Sequence, residues 1–418
     1  MRMSRASHRL ACLLCFVATA AVPAAVAQSL TLGQALDRAA AANPALAAMA
    51  ADSESIVARA ELATLPPQLT LGSELENFAG SGALSGVESA EATLQVTRVL
   101  ELGGKRAGRR SLGDAEIAQA GHSTASARLD LEQLTTRRFV EVVADQQRLA
   151  LARERVTQAE DTRQEVARVV GNARNPETDL RAAEIVLADA GLDLEHAQHE
   201  LSSARVTLAA SWGATRPDFD TALPPVETLA DAESFESLAK KLAASAMLRA
   251  LDLESATAQA REQLARRGAR PDVTLSLGVR RLEVLGDQAL VMSASLPLGA
   301  PARSRLAAAD SRAQLTAIDR RREAVAVELH QQLFELCQEL GHARTEFTTL
   351  GESMIPKAEH ALALASRGFD AGRFPFNVLS QAQVSLFELR RRRIDAAARH
   401  QIFQADIQRL VAAAKETP

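Results

Sequence analysis

The sequence predicts a mainly α-helical protein with a small β part, in which long coiled helical hairpins alternate with short strand pairs and the whole pattern is used twice. Three observations predict it. Residues 66–77 (PPQLTLGSELEN) and 270–282 (RPDVTLSLGVRRL) are alternating runs, and each is followed by a second one, LQVTRVLELGG (94–104) and LVMSASLPLGA (290–300). A long proline-free or proline-poor helical stretch follows each pair. Each stretch ends in a turn containing Arg-x-Pro-x-x-x-Leu, at Arg174/Pro176/Leu180 and Arg373/Pro375/Leu379. The offset between halves is 204 at Thr70/Thr274, 196 at Gly103/Gly299 and 199 at the turns, and so nearly constant an offset marks an internal repeat.

The elements follow in order. Residues 1–27 read as a secretory signal: Arg2, Arg5 and Arg9 form a basic start, Leu10–Val22 an apolar core, and Ala25-Val26-Ala27 a small-residue cleavage site. The apolar run is shorter than the roughly 20 residues a membrane span needs. Helix is expected over 31–64, ending before Pro66-Pro67. Strands are expected over 68–78 and 91–100, separated by the Gly/Ser loop FAGSGALSG (78–86). Helix is expected over 105–167, a turn over 170–176, and helix again over 177–212. The proline-containing stretch TRPDFDTALPPVE separates the halves. The domain reading is therefore signal 1–27, first repeat 28–214, linker 215–231 and second repeat 232–418. The second repeat is expected to hold helix 232–267, strands 271–283 and 289–298 with a tight turn near Gly286, helix 302–366 and helix 376–412.

Lengths fix how the helices pair. A helix over 105–167 is roughly 95 Å long at about 1.5 Å per residue. The helices over 31–64 and 177–212, end to end, match it, and the second half repeats the relation. Each half is therefore one long rod against two stacked short rods. In the last helix, Leu379, Ala382, Leu386, Leu389, Arg393, Ala396, His400, Phe403, Ile407 and Leu410 step by three and four, which is a coiled-coil seam broken at Arg393 and His400.

The strands place Leu69, Leu71, Leu94, Val96, Val273, Leu275, Leu277, Leu290, Met292 and Leu296 on one kind of face and Thr, Ser, Glu and Arg on the other. Apolar-out, polar-in strands of about ten residues are the pattern of an outer-membrane barrel. Four strands do not close a barrel, and an open edge does not face lipid, so closure requires further copies; three would supply twelve strands. A small sheet capping a helical bundle is the alternative, and the scarcity of Trp and Tyr speaks for it.

Composition excludes several classes. With the three leader arginines removed, the formal charge of −4 becomes −7, which argues against nucleic-acid binding. Cys12 and Cys15 fall in the leader, leaving Cys337 alone and without a disulfide partner. His196 and His199 share a helix face but have no third ligand nearby, so no metal site is expected. No nucleophile–base pair or phosphate loop stands out, and neither catalytic residues nor a cofactor are expected. The bases Lys105, Arg106, Arg109 and Arg110, with Arg303 and Arg305 at the matching place, read equally as solvated helix starts or as contacts for lipid phosphate.

At these residues the chain resembles the outer-membrane efflux protein family, the TolC-like channels of tripartite pumps. LTLGQALDRAAAANPAL (30–46) is similar to the family's opening helix, and MIPKAEHALALASRGFDAGRFPFNVLSQAQVSLFEL (354–389) to its second-half tip. VLELGGKRAGR (99–109) resembles the cobalt–zinc–cadmium branch. The resemblance implies a homotrimer with a 12-stranded barrel in the outer membrane and a helical tunnel in the periplasm. It implies a periplasmic adaptor, a proton-driven RND-type inner-membrane pump and lipid as partners, with no enzymatic activity. The Arg-x-Pro turns are then the periplasmic tips, contacting the adaptor and forming the gate. They comprise Gly171, Asn172, Arg174, Pro176 and Asp179 in the first half, and Gly368, Asp370, Gly372, Arg373, Phe374, Pro375, Phe376 and Asn377 in the second. Phe374 and Phe376 are read as rings at an exposed tip, explained by a partner or by packing between hairpins. Opening is expected as the tips moving apart. Two departures from the family stand out: Asn377 and Ser380 occupy positions where the family often carries acids, and no lipidated cysteine is present. The other readings are a multidrug or protein-secretion duct, or a periplasmic coiled-coil adaptor or scaffold.

Overall fold

The computed structural model describes residues 29–172, 175–224, 229 and 233–414. The leader read over 1–27, part of the linker and Arg174 of the first tip lie outside the described residues.

Strand β1 (Ser29–Leu30) precedes α1 (Leu32–Ala42), which opens on a capping box: the Thr31 hydroxyl accepts from the Gln34 amide, and Gln34 accepts from the Thr31 amide. The helix expected over 31–64 is in fact two. Pro44 forces Asn43 into extended backbone, and the Asn43 carboxamide then caps α2 (Pro44–Thr64). The same side chain donates to the Ser211 carbonyl at 2.8 Å, so the break is tied to the fold. Strands β2 (Thr70–Glu76) and β3 (Glu91–Leu100) follow, then α3 (Lys105–Gly171), a single helix of 67 residues. Gly103 ends the strand segment with φ 80°, where a Cβ would lie 2.8 Å from the Arg267 carbonyl oxygen; no other residue fits there. Helix α4 (Glu177–Ala209) returns from the first tip.

Strand β4 (Thr221–Ala222) pairs in parallel with β1, a pairing absent from the sequence reading because two-residue strands carry no period. Gln146 of α3 completes it: its side chain accepts from the Ala222 amide at 2.7 Å and donates to the Ala222 carbonyl at 2.8 Å. A core of Leu30, Phe139, Val142, Leu208, Trp212 and Phe219 lies beside this pair, midway along the rods.

The second repeat opens with α5 (Phe235–Leu242) and α6 (Ala246–Arg267), split where one helix was expected, because Ser245 caps the second by accepting from the Leu248 amide. Strands β5 (Val273–Leu282) and β6 (Asp287–Ser295) flank a turn in which Gly286 has φ 70°. Helix α7 (Ala300–Thr349) runs through a π turn (Leu350–Met354) into α8 (Ile355–Asp370). Pro356 has no amide hydrogen to donate backward, which accounts for the local re-registration of a rod expected to be regular. Helix α9 (Phe376–Val411) closes the chain.

The rods form one layer. Helices α2 and α4 both pack on α3; α3 packs on α6 and α9; these in turn pack on α7 and α8. The stacked-short-against-long relation read from the lengths therefore holds in both halves. Both interruptions of the α9 seam are accommodated inside this layer. The Arg393 guanidinium lies 4.6 Å over the Phe347 ring. His400 is buried, with neither ring nitrogen hydrogen-bonded among the described residues; burial, helped by Arg344, holds its pKa below the ordinary value.

The four long strands form one antiparallel sheet in the order β2-β3-β5-β6. The central β3–β5 pairing joins the two repeats, from Glu91↔Leu282 to Leu100↔Val273. Strands β2 and β6 have no second neighbour in the sheet.

Candidate functional site: the helical tips and the exposed sheet

At the first tip, α3 ends on Gly171, and Asn172 forms its C-cap. Pro176 precedes the first turn of α4, in which Glu177 and Asp179 complement the helix dipole. The Asn175 carboxamide donates to Asp179 at 2.9 Å, stiffening the turn.

At the second tip, the Gly368 carbonyl accepts from the amides of Arg373 (2.8 Å) and Phe374 (3.1 Å), while Gly372 takes φ 70°. Gly368 has a steric reason to be glycine: a Cβ there would lie 2.1 Å from the Phe374 ring. The two rings paired in the sequence reading separate here. Phe374 is 44% exposed, whereas Phe376 is 3% exposed and meets Phe369 at 6.4 Å in an edge-on contact. Phe376 is thus corrected from a tip-surface residue to a core residue. Its partners are Val166 of α3, Ala183 of α4, and Ala365, Phe369 and Leu379, so one apolar cluster holds the ends of both hairpins. Asp370, Gly372, Arg373, Phe374, Pro375 and Asn377 remain at the surface, as do Gly171, Asn172 and Pro176.

Above the tips, α9 floors an open cleft of about 910 Å³ between α3 and α8. Acids line it from both sides, among them Asp161, Glu165 and Asp370. Arg390 spans the cleft, reaching Glu359 at 2.8 Å and Glu154 at 3.4 Å. These residues are invisible to a reading of one helix at a time, because the cleft exists only once three helices are assembled. The one mark of it in the sequence is the run of four arginines, 390–393, on α9. Its members do bridge helices: Arg392 reaches Glu346 of α7 at 2.8 Å, while Arg391 pairs locally with Glu388.

Among the described residues, no group of three or more His, Cys, Asp or Glu is arranged to hold a metal ion. His196 and His199 each pair with a glutamate on the open face of α4, at 3.1 and 3.2 Å. Cys337 is half-buried among leucines, and burial pushes its thiol up. Two of the bases at the sheet base are committed internally: Lys105 to Asp272 at 2.7 Å and Arg109 to Glu101 at 2.6 Å.

The sheet has two chemically distinct faces, and register proves it. Leu71, Val96, Leu277 and Met292 form one row across all four strands, and Leu94, Val279 and Leu290 lie in the next. Leu100 pairs with Val273 at the helix end, and Leu275 with Ala294 between. Leu69 and Leu296 lie just outside the paired segments. Most of this face is open: Leu71 is 69% exposed, Met292 74% and Leu290 81%. The opposite face is polar. There Arg280 reaches Glu91 at 2.8 Å, Thr93 at 2.9 Å and Glu76 at 3.1 Å, and the Thr97 and Ser276 hydroxyls meet at 2.8 Å. An apolar sheet face this large, with two unpaired edges, cannot rest in water.

The same assembly of long rods and sheet occurs in solved structures. The chain matches a membrane protein from Pseudomonas aeruginosa with TM-score 0.79 at 16% identity, over 92% of this chain and 91% of that one. It matches the outer membrane channel MtrE of Neisseria gonorrhoeae, solved in its open state, with TM-score 0.73 at 17% identity, over 92% and 90%. The chain has the fold of the outer-membrane efflux channels. The likeness spans both the four-stranded sheet and the helical layer. The chain is also 29% identical over 370 residues, 88% of its length and 86% of the relative's, to the cobalt-zinc-cadmium resistance protein CzcC of Cupriavidus metallidurans. No family model matches the chain. The resemblance read from residues 30–46, 354–389 and 99–109 agrees with both findings: the fold is that of outer-membrane channels, and the sequence is similar to a cobalt-zinc-cadmium resistance protein.

Proposed function

We propose that three copies of this chain form a passive exit duct across the outer membrane for divalent heavy-metal cations. The sheet carries this reading. Its apolar face demands lipid, its polar face suits a lumen, and its two free edges demand neighbours; twelve strands from three copies satisfy all three conditions. The helical layer supports the same assembly. Its outer rods expose Ile185 and Leu192 of α4 on one side and Val327 and Phe334 of α7 on the other, each pair seven residues apart and shaped for a helix of another copy.

The substrate class rests on the likeness to the cobalt-zinc-cadmium resistance protein. With no metal-holding group among the described residues, selection lies with the inner-membrane pump, which supplies the energy, and this duct only conducts. Exposed Asp370, Arg373, Phe374 and Asn377, with Gly171 and Asn172, present the tip surface to a periplasmic adaptor. The shared core around Phe376 ties the two tips of one chain together, so opening separates the tips of neighbouring copies. Asp370→Cys in a Cys337→Ala background, crosslinked between copies, is expected to stop export; export unchanged by the crosslink refutes this gate.

Deletion of the gene, with complementation, tests the function. Growth is compared against zinc, cadmium, cobalt, nickel and copper, and against dyes, detergents and antibiotics. Sensitivity confined to divalent metals is expected. Sensitivity to organic compounds with metals unaffected refutes the metal assignment and leaves a multidrug duct.

A further inference from the structure

Three arginines lie on the sheet, and two are neutralised by it. Arg280, on the polar face, is held by Glu76 and Glu91. Arg281, at the loop end of the apolar face, pairs with Glu283 at 2.9 Å. Arg98 is different. It pairs in register with Leu275, which pairs with Ala294, so it stands on the apolar face. It is exposed, and no ion pair or hydrogen bond to it occurs among the described residues.

Its height on the sheet gives this meaning. From the Arg281 row to the Leu100–Val273 row is eight residues of β5. That is about 26 Å along the strand, or about 20 Å of height at a tilt near 40°. Exposed Leu102 and Leu298 extend it toward the helices, bringing it close to the apolar band of roughly 25 Å that such barrels present to lipid. Arg98 sits one row above the Leu100–Val273 row, about 7 Å along the strand, with exposed Leu102 and Leu298 beyond that row toward the helices. An unpaired guanidinium at a bilayer midplane is costly, but from this row its side chain can snorkel to the headgroups.

The usual interfacial anchors are missing. The chain has no Tyr and one Trp, and that residue, Trp212, is buried in the core midway along the rods. At the same end of the sheet, Arg303 and Arg305 stand exposed in the first turns of α7 between Leu298 and Leu306, 91% and 74% exposed. Of the bases singled out by sequence after the second strand, Lys105 and Arg109 are already spent on Asp272 and Glu101, and Arg106 donates to the Thr64 carbonyl at 2.6 Å.

We propose that Arg98 binds the phosphate headgroup of an anionic phospholipid in the periplasmic leaflet and so fixes the depth of the barrel in place of an aromatic girdle. This rests on the outer-membrane duct reading. In an assembly of three copies the contact repeats around the barrel.

The test uses the full chain extracted from membranes in neutral detergent. Retained lipid is counted by native mass spectrometry after addition of phosphatidylglycerol or, in parallel, phosphatidylcholine. Wild type, Arg98→Leu and Arg98→Lys are compared, leucine being suited to a lipid-facing position so that folding is kept. Wild type is expected to retain phosphatidylglycerol preferentially, with affinity reduced about fivefold in Arg98→Leu, the worth of one arginine at a membrane surface. Arg98→Lys is expected to keep most of the binding, and inorganic phosphate at the same concentration not to displace the lipid. Equal retention by wild type and Arg98→Leu overturns the lipid contact while leaving the duct intact. A wild-type chain that does not partition into vesicles at all overturns the duct reading and this contact with it.

Discussion

Two phenylalanines two residues apart, Phe374 and Phe376, illustrate how a single side chain divides structure from function. In sequence they are equivalent rings flanking Pro375. The turn built on Gly368 points one outward and the other into the cluster that holds both tips. Their substitutions should therefore fail differently. Phe376→Ala removes a buried ring and is expected to cost about 3–5 kcal/mol of tip stability, seen as fast amide exchange over 365–380. Phe374→Ala is expected to leave exchange unchanged and to lower metal resistance. Equal exchange behaviour in the two variants refutes the division. Their burial was not legible in the sequence, since both flank Pro375 and only the folded turn decides which ring enters the core. The need for glycine at 368 was equally hidden, because its reason is a ring six residues away.

At the scale of elements, charge ties the rods together beside the π turn. Glu346 of α7 is held by Arg392 at 2.8 Å and Arg399 at 2.5 Å, both from α9. The hydrogen bond from Arg392, aided by Arg399, holds its carboxyl below the ordinary 4.5. A depressed carboxylate stabilises the fold fully above its unfolded value and loses that contribution as pH falls through the folded value. Melting of the wild type should therefore become easier below about pH 4.5, and Glu346→Gln should flatten that part of the profile. An identical acid slope in the variant contradicts the assignment. The elements themselves were largely legible. Alternation located all four long strands, one of them with both ends in place and the others with ends moved by one to three residues, and proline and glycine located both tips. The breaks at Asn43–Pro44 and Ser245 were missed because helical periodicity continues across them. The β1–β4 pair was missed because it depends on Gln146, far away in sequence.

At the scale of the molecule, duplication builds a single sheet that one chain leaves open. Each repeat supplies a strand pair and a layer of rods, and β3–β5 pairing fuses the two into one sheet without closing it. Fold class was readable in the strand and helix pattern, and the proposed closure by further copies rests on the few physical solutions open to four apolar-faced strands with free edges. The acidic cleft over α9 and the exposed Arg98 on the apolar sheet face were not, since both depend on which residues assembly leaves facing one another. The central claim is that closure comes from identical neighbours. The most direct measurement is the mass of the native species released intact from outer membranes by mild detergent and weighed by native mass spectrometry. Three chains per particle, collapsing to single chains on heating, is the predicted result. A particle containing one chain would contradict the account, because a lone four-stranded sheet leaves β2 and β6 unpaired in lipid.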